Sequence, residues 1–259
     1  MHFVGLEGEE WSFELIQKMD KAIWKARDKD TQQIYVLKEG TEREMILSVE
    51  AEKLCSTLHY YDIGTTNDKK FLVMDYSPLP TLKTIVRQHL SEDTRKAIAL
   101  NLVNELYKLH EGGLIHGDLK PANVLISGTE ITLIDFGGGA FYKDGETGHT
   151  ISPNFASFRL CTDFYEGTTF QTTYEDELET IVYMVWFIVR NGRLPWLNNC
   201  TSQNERMRKV IEMKLAIRME TPPSWLRQER ALILSLLDAA IDRREDLFPI
   251  LIETYWPNT

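Results

Sequence analysis

The chain has 259 residues, 43% of them apolar and 26% charged, the balance of a soluble globular protein. A net charge of −10 argues against nucleic acid, which a basic face normally meets. The three cysteines, Cys55, Cys161 and Cys200, are scattered with no CxxC spacing, which excludes a disulfide framework and reads as free thiols in a reducing compartment. The start, "MHFVGLEGEE", lacks the basic opening and apolar stretch of a signal peptide. The longest apolar run, Ile181 to Val189, is far short of the roughly 20 residues a bilayer span needs. It reads as a buried helix, in a cytosolic protein without a membrane partner.

In chain order, five strand-like runs come first: "WSFELI", "AIWKAR", "QIYVLK", "LHYYDIG" and "KFLVMDY". Turn-prone stretches such as "KDTQ" and "TTNDKK" separate several of them. One helix interrupts: Thr41 and Glu44 of "TERE" have capping-box spacing, and an apolar pattern follows through Leu58. After "SPLP" at 77–80 the chain turns mainly helical. Ser91 caps a helix carrying Ile98, Leu102, Leu106 and Leu109 at helical period, and "EGG" at 111–113 ends it. "NVLI" and "ITLI", joined by "SGTE", form a hairpin, and helices follow. The expectation is an α+β, bilobal chain: a β-rich lobe over 1–76, a larger α-rich lobe over 77–259, and a ligand cleft between them.

The chemistry concentrates in "HGDLKPANVLI", residues 116–126. Asp118 lies between a helix and a strand pair, where a turn can aim it outward. Asn123 follows five residues later, and Asp135 stands where an apolar strand gives way to glycines in "TLIDFGGG". An amide carbonyl and a carboxylate are hard oxygen ligands suited to Mg²⁺, which binds a few protein oxygens and completes its shell with phosphate and water. Asp118 is then free to accept a hydroxyl proton, and Lys120 supplies positive charge beside a phosphoryl group. That is a phosphoryl-transfer set.

The order of these residues resembles the eukaryotic protein kinase family, with "HGDLKPANVLI" similar to its catalytic loop and "IDFG" to its metal motif. The DLKPxN form is typical of the serine/threonine branch. The resemblance implies ATP and Mg²⁺ as cofactors, Asp118 as base, Lys120 near the γ-phosphate, and Asn123 and Asp135 on the metal. It implies Lys38 of "YVLK" as the phosphate lysine, with a helical glutamate partner. Glu50 and Glu52 compete for that role. Glu50 shares a face with Ile46 and Leu54 and is the preferred one. In "FLVMDYSPL", Met74 takes the gatekeeper position, and backbone of Asp75 and Ser77 would bond adenine.

Three departures stand out. The glycine-rich phosphate loop is replaced by "IQKMDKAIWKA", with Ile16, Lys18 and Lys21 at the glycine positions; Lys18 or Lys21 would substitute charge for backbone contacts. HGD stands for HRD, which removes an arginine that often reads a phosphate on the activation loop. "SPNFASFRL" replaces the APE motif, and it resembles the casein kinase 1 and vaccinia-related kinase branch. "YEDELETIVYMVW" followed by "GRLPW" is similar to the same branch, with Asp176 or Glu177 expected on the catalytic-loop backbone. The stretch "NERMRKVIEMKLAIR" reads as a charged, solvated helix face. Three functions follow from the resemblance and its departures: an active serine/threonine kinase acting on a protein acceptor, a pseudokinase scaffold, or a small-molecule kinase; a monomer is the expectation for its assembly.

Overall fold

The structure is a computed structural model that describes residues 1–6, 8–141, 151–197, 202–219 and Leu234. Cys200, and the end of the larger lobe expected to reach 259, lie outside the described residues.

The smaller lobe is one antiparallel sheet. Its strands are β1 (His2–Val4), β2 (Glu10–Asp20), β3 (Ile23–Asp28), β4 (Ile34–Glu39), β5 (Tyr60–Thr66) and β6 (Lys69–Asp75), in the spatial order β1-β2-β3-β4-β6-β5. Five match the expected runs. The short strand β1 carries too brief an alternation to announce itself, and its one buried side chain, Phe3, packs with Phe13, Tyr35 and Phe71. A bridge between Gly5 and Gly64 brings the outer strands β1 and β5 together. A side chain at Gly64 would strike the Phe3 ring.

The turns follow their residues. Asn67 and Asp68 both take positive φ between β5 and β6, the geometry of a two-residue hairpin. The β2–β3 hairpin behaves differently. It is glycine-free, and no residue from 10 to 28 enters the positive-φ region that glycine favours. Its irregularity is absorbed instead by register shifts at Leu15/Gln17 and Lys18/Asp20.

Helix α1 spans Glu42–Glu52, shorter than the apolar pattern to Leu58 suggests. Beyond Lys53 the backbone turns to the larger lobe: Leu133 N–H donates to Ser56 O at 2.9 Å and the Thr57 hydroxyl to Leu133 O at 2.7 Å. A continued helix would have used those groups within itself.

After the short helix α2 (Leu82–Ile85) comes α3 (Glu92–Glu111), capped by the Ser91 side chain on Thr94 N–H as expected. Short strand β7 (Leu114–Ile115) leads into the hairpin β8 (Val124–Ser127) and β9 (Glu130–Leu133), and β10 (Ala140–Phe141) returns to pair with β7. Helices α4 (Phe158–Glu166), α5 (Tyr174–Val189) and α6 (Gln203–Arg218) complete the described part. From Thr180 to Ile188 every α5 residue is buried, so the apolar run is the central core helix that its all-round hydrophobicity predicts. Among the described residues, no helix is long and apolar enough to cross a membrane.

Candidate active site

The cleft is built from four elements. Strand β4 delivers Lys38, α1 delivers a glutamate, the loop after β7 delivers Asp118 to Asn123, and the end of β9 delivers Asp135.

Lys38 Nζ lies 2.5 Å from Glu44 Oε1 and 2.5 Å from Asp135 Oδ1. The partner of Lys38 is thus Glu44, and neither Glu50 nor Glu52. Glu50 pairs with Lys53 on the surface, and Glu52 meets His59. The buried face of α1 is Glu44, Leu47, Ser48 and Ala51, while Ile46, the residue that recommended Glu50, is 56% exposed. The signal was the small and apolar row 47, 48 and 51, one turn past Glu44. Reading Glu44 as a capping residue concealed it. Thr41 does cap Glu44 N–H, but the Glu44 carboxylate goes to the lysine.

Two carboxylates share one cation here, and their other neighbours separate them: Asp135 repels Glu44, while His116 and Lys120 also draw on Asp135. Desolvation of Glu44, only 6% exposed, outweighs its attraction to Lys38 and pushes its pKa up. Burial opposes the charge on Asp135 too, but Lys38, with His116 and Lys120, prevails and holds it below the usual carboxylate range. Burial also works against the charge on Lys38, yet Glu44 and Asp135 together drive its pKa above the ordinary lysine value.

The catalytic loop is fixed from below. Glu177, buried on α5, accepts from His116 N–H at 3.0 Å, Gly117 N–H at 2.8 Å and the His110 ring at 2.6 Å. Burial would raise its pKa, but these donors and the adjacent imidazoles lower it. Of the two candidates on α5, Glu177 therefore holds the loop. Asp176 instead completes a capping box with Thr173 and accepts from Ser157 and Arg159. His116 bonds Ile134 O at 3.0 Å, and its ring lies 4.9 Å from that of the buried Phe136. Gly117 has φ +77°, and a Cβ there would stand 1.8 Å from Gly138 O. The HGD departure thus has a steric cause: glycine lets the loop lie directly against the glycines after Asp135.

Asp118 Oδ2 accepts from Lys120 Nζ, while Asp118 Oδ1 is buried with no partner among the described residues, a group suited to receiving a proton. Asn123 Nδ2 donates to Asp118 O at 3.0 Å, so the amide oxygen is not the group used in that bond. Asp135 takes φ +70°, a conformation aspartate tolerates and one that turns its carboxylate to Lys38. These residues fit Mg²⁺ and a polyphosphate: one amide oxygen, one carboxylate below its normal pKa, and two lysines.

Met74 is buried between its strand neighbours Val36 and Tyr60. Asp75 N–H donates to His59 O at 3.0 Å, so that amide is already taken, and the Ser77 hydroxyl accepts from Leu79 N–H at 3.3 Å. Lys18 and Lys21 sit at the exposed hairpin tip. Lys18 Nζ stands 5.6 Å from the Trp24 ring centre, and neither side chain forms an ion pair among the described residues.

The sequence profile described as "Protein kinase domain" matches residues 18–246. The chain belongs to the protein kinase family. Among solved structures, this kinase domain superposes on one titled "Structure of vaccinia related kinase 3" with a TM-score of 0.68 and 18% identity, covering 97% of this chain and 90% of that one; the likeness is one of fold. Among curated proteins it is 27% identical over 161 residues to "Pseudokinase OPG198" of Vaccinia virus (strain Copenhagen), over 60% of this chain and 51% of that protein. It is 30% identical over 159 residues to "Casein kinase 1-like protein HD16" of Oryza sativa subsp. japonica, over 54% of this chain and 21% of that protein. The kinase domain thus spans at most about half the length of these curated relatives. Their names include both a pseudokinase and a casein kinase 1-like protein.

Proposed function

We propose that this kinase domain is an active serine/threonine protein kinase of the cytosol, working as a monomer on a protein acceptor and not on nucleic acid. The observation that carries the reading is the intact floor of the cleft: Lys38 drawn to Glu44 and Asp135, and Asp118 with one buried oxygen, unpartnered among the described residues, beside Lys120. When bound, Mg-ATP supplies the γ-phosphoryl group and the metal charge that screens it. Lys38 offers its ammonium to the phosphates, held in place by Glu44. Asn123 Oδ1 and the Asp135 carboxylate are the oxygens available to the metal. Asp118 Oδ1 takes the proton of the acceptor hydroxyl, and Lys120 keeps positive charge next to it as negative charge develops. The buried free thiols Cys55 and Cys161 agree with a reducing compartment.

A pseudokinase reading has one observation in its favour: the β2–β3 hairpin has no glycine with which to bring backbone N–H groups against phosphate. Labelled γ-phosphate from Mg-ATP, a mixture of protein acceptors and an Asp118→Asn control separate the two. Label on serine or threonine in the wild type alone supports the kinase. A nucleotide-dependent thermal shift without transfer supports the pseudokinase, unless a panel of small-molecule acceptors takes the label.

A further inference from the structure

Lys214 is fully buried in α6, and it is the residue least expected in a core. The solvated face expected of residues 204–218 holds only for one side of the helix, where Arg208 and Glu212 pair in the open. On the other side Met207, Val210, Lys214 and Ile217 are buried. No carboxylate lies within ion-pair distance of Lys214 among the described residues. Its ammonium donates to Pro153 O at 2.9 Å and to Ala156 O, lies 3.6 Å from Cys161 Sγ, and stands over the rings of Tyr183 at 4.6 Å and Trp196 at 5.3 Å. Two carbonyls and two ring faces replace the missing counter-ion.

The two carbonyls belong to one segment, residues 153–156. Trp196 Nε1 donates to Asn154 O at 2.8 Å, so the carbonyls of Pro153, Asn154 and Ala156 are all held from the core side. Phe158 N–H donates to Glu179 at 2.8 Å, and Arg218, one turn past Lys214, pairs with the same Glu179. Residues 152–155 also line a cavity of about 440 Å³, together with Lys120, Pro121 and Ala122 of the catalytic loop. This is the stretch that replaces the APE motif.

We propose that Lys214 is a positioning residue for the protein acceptor: by fixing the carbonyls of Pro153 and Ala156 it sets the wall of the groove that presents a hydroxyl to Asp118. The inference rests on the kinase reading for its consequence in catalysis, and on geometry alone for the clamp. Lys214 touches neither the nucleotide residues nor Asp118, so its loss is felt by the acceptor and not by ATP.

The test uses the full chain with Lys214→Met, which keeps the volume and removes the donors, and Trp196→Phe, which removes the other tether to Asn154 while keeping an aromatic ring beside Lys214. Three quantities are read: KM for a protein acceptor (dephosphorylated casein or histone) against KM for ATP, the rate of Mg-ATP hydrolysis by water, and amide hydrogen exchange over 151–160 against that of the β8–β9 hairpin. Expected for Lys214→Met are at least about a tenfold rise in acceptor KM, ATP KM and hydrolysis within about twofold, and at least about tenfold faster exchange confined to 151–160. Trp196→Phe should move the same quantities in the same direction by less. Exchange unchanged over 151–160, or both KM values rising together, would overturn the proposal. Should Lys214→Met fail to fold, Trp196→Phe alone decides, on the same criteria. Should the wild type transfer no phosphate, the kinase reading fails, and the exchange pattern still judges the clamp.

Discussion

The floor and the roof of this cleft are built on opposite principles. The floor, from His116 to Gly139, is over-determined: Glu177 grips two of its amides, His116 ties it to Ile134, and Gly117 lets two backbone segments touch. The roof, the β2–β3 hairpin, has every β2 residue from Glu14 to Asp20 exposed, including Leu15, Ile16 and Met19. Chemistry that transfers a proton and holds a metal tolerates little displacement, whereas a cover over phosphates can be degraded with a loss of positioning alone. On the kinase reading, the glycine-free sequence is tolerable because it falls on the roof.

Several changes can break or sharpen that contrast. The largest effect should come from Asp118→Asn, which removes the base and should lower phosphoryl transfer by about 10²- to 10⁴-fold while a nucleotide-induced thermal shift persists. Gly117→Ala comes next: with φ +77° and Gly138 O 1.8 Å from the new Cβ, it should destabilise the fold by roughly 3 kcal/mol, visible as a lower Tm. Glu44→Gln should weaken ATP binding by at least about tenfold, since a hydrogen bond to a charged group is worth about 1.5–3 kcal/mol. Glu50→Gln, on the exposed side of the same helix, should leave KM for ATP unchanged; equal effects would undo the assignment of the Lys38 partner.

Acid should act on the floor. Asp135 and Glu177 are both held below ordinary carboxylate values, so their stabilisation is complete above the unfolded values of about 4 and is lost as pH falls through the folded ones. Tm should therefore drop as pH is lowered below about 4, and Glu177→Gln should flatten part of that drop. The smallest effect belongs to the roof. Removing both exposed lysines, Lys18→Ala/Lys21→Ala, should weaken ATP binding only about two- to fivefold, the scale of exposed charges. An unchanged affinity would show that the hairpin lysines do not replace the missing glycines.

What the sequence made legible follows the same division. Residues close together in the chain, such as Asp118, Lys120 and Asn123, carry their geometry in their spacing, and the strand and turn chemistry put Lys38 on β4 and Asp135 just past β9, where the structure has them. Contacts across long separations were not readable. Glu44 meets Lys38 because of which face of α1 packs inward, and a two-row choice on an amphipathic helix was decided by Ile46, an apolar residue that happens to face solvent. Asp176 and Glu177 are adjacent and chemically alike, so only the rotation of α5 tells them apart. Lys214 looked like one charge among many because nothing local marks a lysine whose partners are backbone carbonyls 58 and 61 residues away.

The meeting of Gly5 and Gly64 has a consequence for how the smaller lobe behaves in company. An open six-stranded sheet would offer the unpaired amides of its outer strands to any passing extended chain. Here β1 and β5 turn towards each other, and Asp62 fastens the join by accepting from Leu6 N–H and Trp11 Nε1. A bulky residue at Gly64 would displace Phe3 and pry that seam apart. Its first symptom would be self-association through newly bared strand edges, before any change at the cleft.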